Sequence, residues 1–309
     1  MIGQINELFE NQLQVWQLAA KNYLSLQEVR IREFQFEDFS VFAQFNPARM
    51  QSSSAKIDSK SIQDRKCFLC PDNLPVEQKG IPYGIDYQIL VNPFPIFPQH
   101  FTVPLVRHAD QLIDDKYGEM IDLAELLEEY VIFYNGPKCG ASAPDHAHFQ
   151  VGSKNFIPLQ KDIHNITKEI ILTTNNLVIY ALRKYLRNAF LIESVTKEGI
   201  LRAFSHLYSL MEQKVEDKEP MMNIFTWYDK NKWFSCIFPR EKHRPDCFYA
   251  GGKDNILISP GSVDMGGILI LPQEEDFTKI TEQDIKNIFR EVSISDLKME
   301  GIIEKLKAT

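Results

Sequence analysis

The chain of 309 residues is 44% hydrophobic and 25% charged, which suits a soluble globular protein of one large or two ordinary domains and excludes a long disordered chain. Its net charge of −8 argues against a nucleic-acid protein held by phosphate neutralisation, while a small anion needs only a local basic or amide-lined pocket. No apolar run is long enough to cross a bilayer, the N-terminus does not read as a signal peptide, and an odd count of five cysteines points to a reducing cytoplasm.

From Asn6 to about Gln27 the apolar residues Leu8, Phe9, Leu13, Trp16, Leu18, Ala19 and Leu24 recur at helical spacing and predict a helix. Val29 to Phe45 alternates like strand, and residues 46–66, rich in Ser, Lys and Gln, read as an exposed loop. Tyr87–Val91 and His100–Val106 are predicted strands split by a proline-rich corner. Residues 110–130 are predicted as an amphipathic helix, followed by strands at Tyr130–Tyr134 and His146–Gly152. The second half loosely repeats this grammar. Val178–Glu193 is strand-rich, Lys197–Gln213 helical, and Met222–Tyr228 and Lys232–Pro239 are strands. A further strand pair, Ile256–Ser259 and Gly267–Leu271, precedes helices that run to the C-terminus. Strands and helices fall in clusters, which predicts an α+β fold with largely antiparallel sheets. Two similar half-barrel units fused in one chain, 1–160 and 161–309, are the expected architecture.

The segment from Asn135 to Gln150, NGPKCGASAPDHAHFQ, carries the most chemical information. On a strand, alternate residues share a face, so His146, His148 and Gln150 point one way while Ala147, Phe149 and Val151 face the core. The loop before them holds Gly136, Gly140 and Ser142 and can turn backbone N–H groups toward an anion. A bare H-x-H is better read as polar surface. Imidazole beside an anion cradle points instead to nucleophilic catalysis at phosphorus.

This segment resembles the active-site motif of the histidine triad superfamily. It is most similar to the branch of galactose-1-phosphate uridylyltransferases and the phosphorylases of nucleotide sugars and dinucleoside polyphosphates. The resemblance implies that His148 is the nucleophile, with His146 and Gln150 beside it. Asp145 before the first histidine and Ala147 between the two depart from the usual prolines. Cys67-Phe68-Leu69-Cys70-Pro71-Asp72-Asn73 is similar to the C-x-L-C-x-G-N motif of the uridylyltransferases. Val91-Asn92-Pro93-Phe94-Pro95 resembles their T-N-D-F segment, which implies that Asn92 and Phe94 contact a nucleotide. His100 and His108 lie in PQHFTVPLVRH, like the first strand of the superfamily. These motifs occupy residues 46–152 in order.

Cys67 and Cys70 have the spacing to place two thiolates on one zinc ion, and alone they make half a site; a reduced pair without metal is the other reading. The resemblance completes the set with His108 and His146, in a structural role. It also implies that Asn135, Gly140 and Ser142 hold the phosphoryl group. In the second half, PREKHRP at 239–245 is either a solvated charge cluster or a phosphate clamp built on Arg240 and Arg244, since guanidinium forks fit phosphate oxygens. Gly261–Gly267 is read as a plain hairpin in preference to a turn that closes on the nucleotide.

The expected activity is a nucleotidyltransferase or phosphorylase on a nucleoside-diphosphate sugar, working through a covalent nucleotidyl-histidine with phosphate or a sugar phosphate as acceptor. The alternatives are phosphorolysis of a dinucleoside polyphosphate, as in ATP adenylyltransferase-like enzymes, or a non-catalytic nucleotide-binding module. Gln150 cannot donate a titratable proton, which suits phosphate leaving groups and acceptors better than water. The expected partners are small molecules without nucleic acid or membrane, in a monomeric pseudo-dimer or a homodimer.

Overall fold

The computed structural model describes residues 1–47 and 65–308, so most of the loop expected at 46–66 lies outside the described residues. The chain is α+β, as expected. Its centre is a ten-stranded antiparallel sheet, ordered β3-β4-β5-β7-β6-β11-β12-β10-β9-β8. The first five strands are β3 (Gly80–Tyr83), β4 (Tyr87–Val91), β5 (His100–Pro104), β6 (Tyr130–Asn135) and β7 (His148–Ser153). The other five are β8 (Lys168–Thr173), β9 (Leu177–Leu182), β10 (Ala189–Ser194), β11 (Met222–Asp229) and β12 (Lys232–Pro239). Read from its outer edge inward, each five-stranded half has the order first, second, third, fifth, fourth. The halves join edge to edge where β6 pairs with β11, Phe133 opposite Phe225.

Each half also places a helix between its third and fourth strands. We label α1 (Ile2–Val15), α2 (Gln17–Leu24), α3 (Tyr117–Leu126), α4 (Lys197–Leu210), α5 (Ser262–Met265), α6 (Glu282–Val292) and α7 (Asp296–Lys307). Helices α3 and α4 bury Met120, Ile121, Ile200, Phe204 and Leu207 against one face of the sheet, joined by α1, α2 and α7. The opposite face is covered over the second half by a small sheet, β1 (Arg30–Gln35), β2 (Ser40–Phe45) and β13 (Ile268–Leu271), and by α6. There Phe225, Trp227, Cys236 and Phe238 pack against Val41, Ala43, Leu269 and Phe289. Over the first half, that same face carries His148 and Gln150.

Several boundaries differ from expectation. The N-terminal helix is interrupted at Trp16, whose extended backbone (φ −111°, ψ 93°) turns its indole inward. The helix expected at 110–130 starts only at Tyr117, because the preceding segment runs beside the start of β7 and spends its backbone there. Leu105 N–H bonds Ala147 O, Ala147 N–H bonds Ala109 O, and Gln111 N–H bonds Pro144 O. Residues 256–259 form no strand, since Leu257 N–H is taken by the Asp276 carboxylate and Ile258 N–H by the nearby Ile256 carbonyl. The segment expected as a hairpin is the short helix α5, closed by Asp264 accepting from Gly261 N–H at 2.9 Å. No helix among the described residues is long and apolar enough to cross a membrane.

Candidate functional site

The strand β7 starts at His148, two residues later than the alternation suggests. Phe149 and Val151 enter the core beneath α1 and α3, as the strand period requires, and His148 and Gln150 face the other way. His148 is 4% exposed. Its Nδ1 lies 2.7 Å from the carbonyl of His146, so Nδ1 carries the proton and Nε2 keeps its lone pair. Burial pushes the imidazole pKa down to about 4, which leaves the ring neutral and nucleophilic. The His148 backbone is gripped by one side chain, Gln111. Its Oε1 accepts His148 N–H at 2.7 Å, and its Nε2 donates to His148 O at 3.0 Å.

Two amides share the cavity with this ring, each with its oxygen end already occupied. Gln150 Oε1 accepts from His100 Nε2 at 3.0 Å, Asn92 Nδ2 at 3.2 Å and Thr102 Oγ1 at 3.3 Å. The His100 tautomer is fixed by Ile96 N–H donating to its Nδ1. Asn135 Oδ1 accepts from Ser262 N–H at 2.7 Å and from Asn223 Nδ2 at 3.0 Å. Both side chains line the cavity, so what each offers there is an NH2 donor.

The loop after β6 folds over this face against the residues that lead into α5. Gly140 has φ +94°, and a Cβ there would sit 2.5 Å from Gly261 Cα. Glycine at 140 is what lets the two backbones touch, and a Cβ at Gly261 would instead crowd Asn135 Oδ1 at 3.0 Å. Beneath the loop lies Glu219, buried, with Tyr134 Oη donating to Oε1 at 2.5 Å and Ile113 N–H to Oε2 at 2.9 Å. Burial pushes its pKa up to about 7.

The two arginines of the 239–245 segment have different fates. Arg240 does not reach the cavity, which corrects its expected role in a phosphate clamp. Its guanidinium is buried and bonded to Val292 O, Asn223 Oδ1, Pro260 O, Lys242 O and His243 O, which leaves no fork for a ligand. It braces the loops around the site. Arg244 does line the cavity, stacked 4.1 Å from the Phe248 ring centre and donating to Ser259 Oγ at 3.0 Å. Beside them lies His243, whose Nε2 is 3.3 Å from Ser259 Oγ. Burial, then the charges of Arg244 and Arg240, hold its pKa down near 3.

Cys67, Cys70, His108 and His146 form a cluster whose ligand atoms all lie within 4.8 Å of one another. Cys67 Sγ is 3.2 Å from His146 Nδ1, and Cys70 Sγ is 3.2 Å from His108 Nδ1. His146 Nε2 donates to Leu105 O at 2.6 Å, which leaves Nδ1 as the metal-facing nitrogen. Tetrahedral zinc with two sulfur and two nitrogen ligands separates them by about 3.5 Å, so the donor set fits that ion. Burial raises the Cys67 pKa, but the hydrogen bonds from His146, the Leu69 backbone and Cys70, with the charge of His146, together outweigh it and bring the thiol to about 6. His146 therefore faces the cysteines and not the cavity, although it precedes His148 by two residues.

The cavity measures about 460 Å³ and is lined by Asn92, Phe94, Asn135, Gly140, Ser142, His148, Gln150 and Arg244 of the expected set. Trp16, Leu18, Phe68, Leu90 and Pro93 form an apolar wall on the side of β4 and β5. His243, Arg244, Ser259 and Asp264 line the side of β6 and β11. Thr102, Gln111, Ser259 and Asp264 escape motif reading, while His100 and His243 lie inside motifs that gave them no role at the cavity. His100 and Thr102 alternate with core residues on β5, a signal that was available; Gln111 and Ser259 have none.

Residues 8–153 match the model of a family described as a domain of unknown function (DUF4922), and residues 162–309 match the GDPGP1-like, C-terminal domain. The diadenosine 5',5'''-P1,P4-tetraphosphate phosphorylase 2 of Saccharomyces cerevisiae is 25% identical over 177 residues, 51% of this chain and 54% of that protein. Protein APA1 of the same yeast is 24% identical over 222 residues, 64% of this chain and 65% of that protein. The matched stretch thus spans about half to just under two thirds of these relatives. Crystal structures of yeast Ap4A phosphorylase Apa2 share the fold. The AMP complex gives a TM-score of 0.59 at 17% identity over 92% of this chain and 97% of that one. The Ap4A complex gives 0.57 at 16% over 91% and 97%.

Proposed function

On a chain that belongs to the histidine triad superfamily, in the branch of the uridylyltransferases and dinucleoside-polyphosphate phosphorylases, we propose a nucleotidyltransferase or phosphorylase acting on a nucleoside-diphosphate sugar. The observation that carries this reading is His148, neutral and held through Nδ1 with Nε2 left to the cavity, beside the amide donors of Asn135 and Gln150.

His148 Nε2 attacks the α-phosphorus, and the bond from phosphorus to the bridging oxygen breaks, that oxygen leaving with the electron pair on a phosphorylated group. Asn135 and Gln150 donate to the non-bridging oxygens as charge builds on them. The His146 carbonyl supports the positive ring of the adduct through Nδ1–H. An oxygen of phosphate or a sugar phosphate then attacks from the opposite side, and the P–N bond pair returns to Nε2. Leaving group and acceptor are anionic phosphates, so neither step calls for a general acid or base. Arg244 holds the acceptor phosphate, and Asn92 and Phe94 hold the nucleotide.

Cys67, Cys70, His108 and His146 would hold a zinc ion, which would supply a structural brace for the strand that carries His148. Two halves, 1–160 and 161–309, divide the labour: the first carries the nucleophile and the second roofs it. Phosphorolysis of a dinucleoside polyphosphate is the second reading, favoured by the fold match to a phosphorylase in complex with Ap4A.

The test is product formation from nucleoside-diphosphate hexoses and from diadenosine tetraphosphate, with and without inorganic phosphate or a sugar 1-phosphate. Turnover that requires the added phosphate supports the reading. Release of free mononucleotide at an equal rate in plain buffer makes the protein a hydrolase and sinks it.

A further inference from the structure

The ladder between β6 and β7 ends at Gln150, two residues short of the nucleophile. It runs from Tyr130 opposite Ser153 to Phe133 opposite Gln150, and the next pair in that face would be Asn135 with His148. Those two residues do not pair. The Gln111 side chain lies between them. Its Nε2 donates to Asn135 O and to His148 O, both at 3.0 Å, while Oε1 accepts His148 N–H at 2.7 Å. A primary amide carries the same donor and acceptor as a peptide unit, so it completes the ladder where the strands part. The residue is 1% exposed, and its own carbonyl accepts from Tyr134 Oη at 3.1 Å. His108, three residues earlier, belongs to the cysteine–histidine cluster.

We propose that Gln111 is the positioning residue for His148: by replacing a peptide unit between β6 and β7, it lets the strands open for the glycine loop while fixing the backbone from which the nucleophilic ring projects. Three of the backbone polar groups that the parting strands would leave buried and unpaired find their partner in this one side chain. The inference rests on the reading of His148 as nucleophile, but it also predicts the reactivity of that ring toward any electrophile.

Two substitutions separate positioning from bulk. Gln111→Met fills the same volume with no polar atom, and Gln111→Glu keeps the acceptor for His148 N–H while removing the donor to both carbonyls. The first readout is the rate at which diethylpyrocarbonate modifies His148 in the full chain, followed by peptide mass mapping. The second is kcat and KM for a nucleoside-diphosphate hexose with inorganic phosphate. Both variants should slow modification at His148, while His164 and His206 react as in the parent. A displacement of about 1 Å is enough to cost about 100-fold in rate, so kcat should fall 10- to about 100-fold with KM changed less than about threefold. Modification of His148 at the parent rate in both folded variants overturns the proposal, as does a parallel rise in KM that accounts for the loss. If the parent chain turns over no nucleotide, the functional reading fails and the modification rates alone decide the role of Gln111.

Discussion

The carbonyl oxygen of His146 lies 2.7 Å from Nδ1 of His148, while the ring of His146 lies 3.2 Å from Cys67 Sγ. One residue thus joins the cysteine–histidine cluster to the proposed nucleophile, with its side chain beside the cysteines and its peptide against the His148 ring. Stripping metal with a chelator, or replacing Cys67 by Ser, should lower the melting temperature and blunt His148 reactivity together. Elemental analysis of protein purified without added metal should find one zinc per chain. Absence of zinc, with full His148 reactivity, contradicts the link.

His148→Ala should abolish turnover, a loss on the order of 10³ or more as expected for removal of a nucleophile. Calorimetry should still detect nucleotide binding, because Asn92, Phe94 and the apolar wall are untouched. Quenching the parent enzyme with substrate should trap an acid-labile nucleotidyl adduct, mapped by mass spectrometry to His148. An adduct elsewhere rejects the assignment.

Gln150→Glu is nearly isosteric and keeps an oxygen for His100, Asn92 and Thr102, but it swaps the NH2 donor for an acceptor. Loss of one such donor costs about 10²- to 10³-fold in kcat where it stabilises developing charge. Equal kcat in parent and variant would remove Gln150 from the chemistry.

Arg240→Met and Arg244→Met should diverge. Arg240 is 4% exposed and holds five acceptors, so its loss should destabilise by about 3 kcal/mol or more, as for other broken buried networks. Arg244 should leave the melting temperature nearly unchanged and raise KM for the acceptor phosphate. Denaturant titration and steady-state kinetics on both variants distinguish these outcomes.

Glu219 makes stability depend on pH. Its folded pKa, about 7, lies above the ordinary value of 4.5, so the unfolded chain ionises first as pH rises. Below pH 4.5 both states are protonated and this group costs nothing. Stability then falls as pH rises and levels off above 7, by about 3 kcal/mol at most. Asp162 and Asp264, raised to about 6 by burial, act in the same direction. Urea unfolding between pH 5 and 8 should show a smaller decline in Glu219→Gln; an unchanged slope refutes this role.

Much of the site was legible because its chemistry is local in sequence. The segment from Asn135 to Gln150 holds a glycine turn, the cavity-lining His148 and its amide neighbour Gln150, and strand period alone sends Phe149 and Val151 to the core. Arg240 and Arg244 show where that reading stops. Both are cations in one short segment, and only tertiary contacts decide that Arg240 is consumed by carbonyls while Arg244 meets the cavity. Gln111 and Ser259 belong to no periodic pattern, and the short helix at Ser262 depends on a buried Asp264 contact that composition does not reveal. The pairing of β6 with β11 likewise needs the whole fold, since hydrophobic alternation does not name a strand's neighbour.

The duplicated strand order places the counterpart of β7 at β12, where Phe234, Cys236 and Phe238 are turned to the face that holds His148 in the first half. That face is sealed by the β1-β2-β13 sheet and α6. Symmetry of the backbone is therefore not matched by a second cavity of the same kind on that face among the described residues. A rapid-quench experiment should register a pre-steady-state burst approaching one equivalent of leaving group per polypeptide, and titration with a tight nucleotide should saturate at the same ratio.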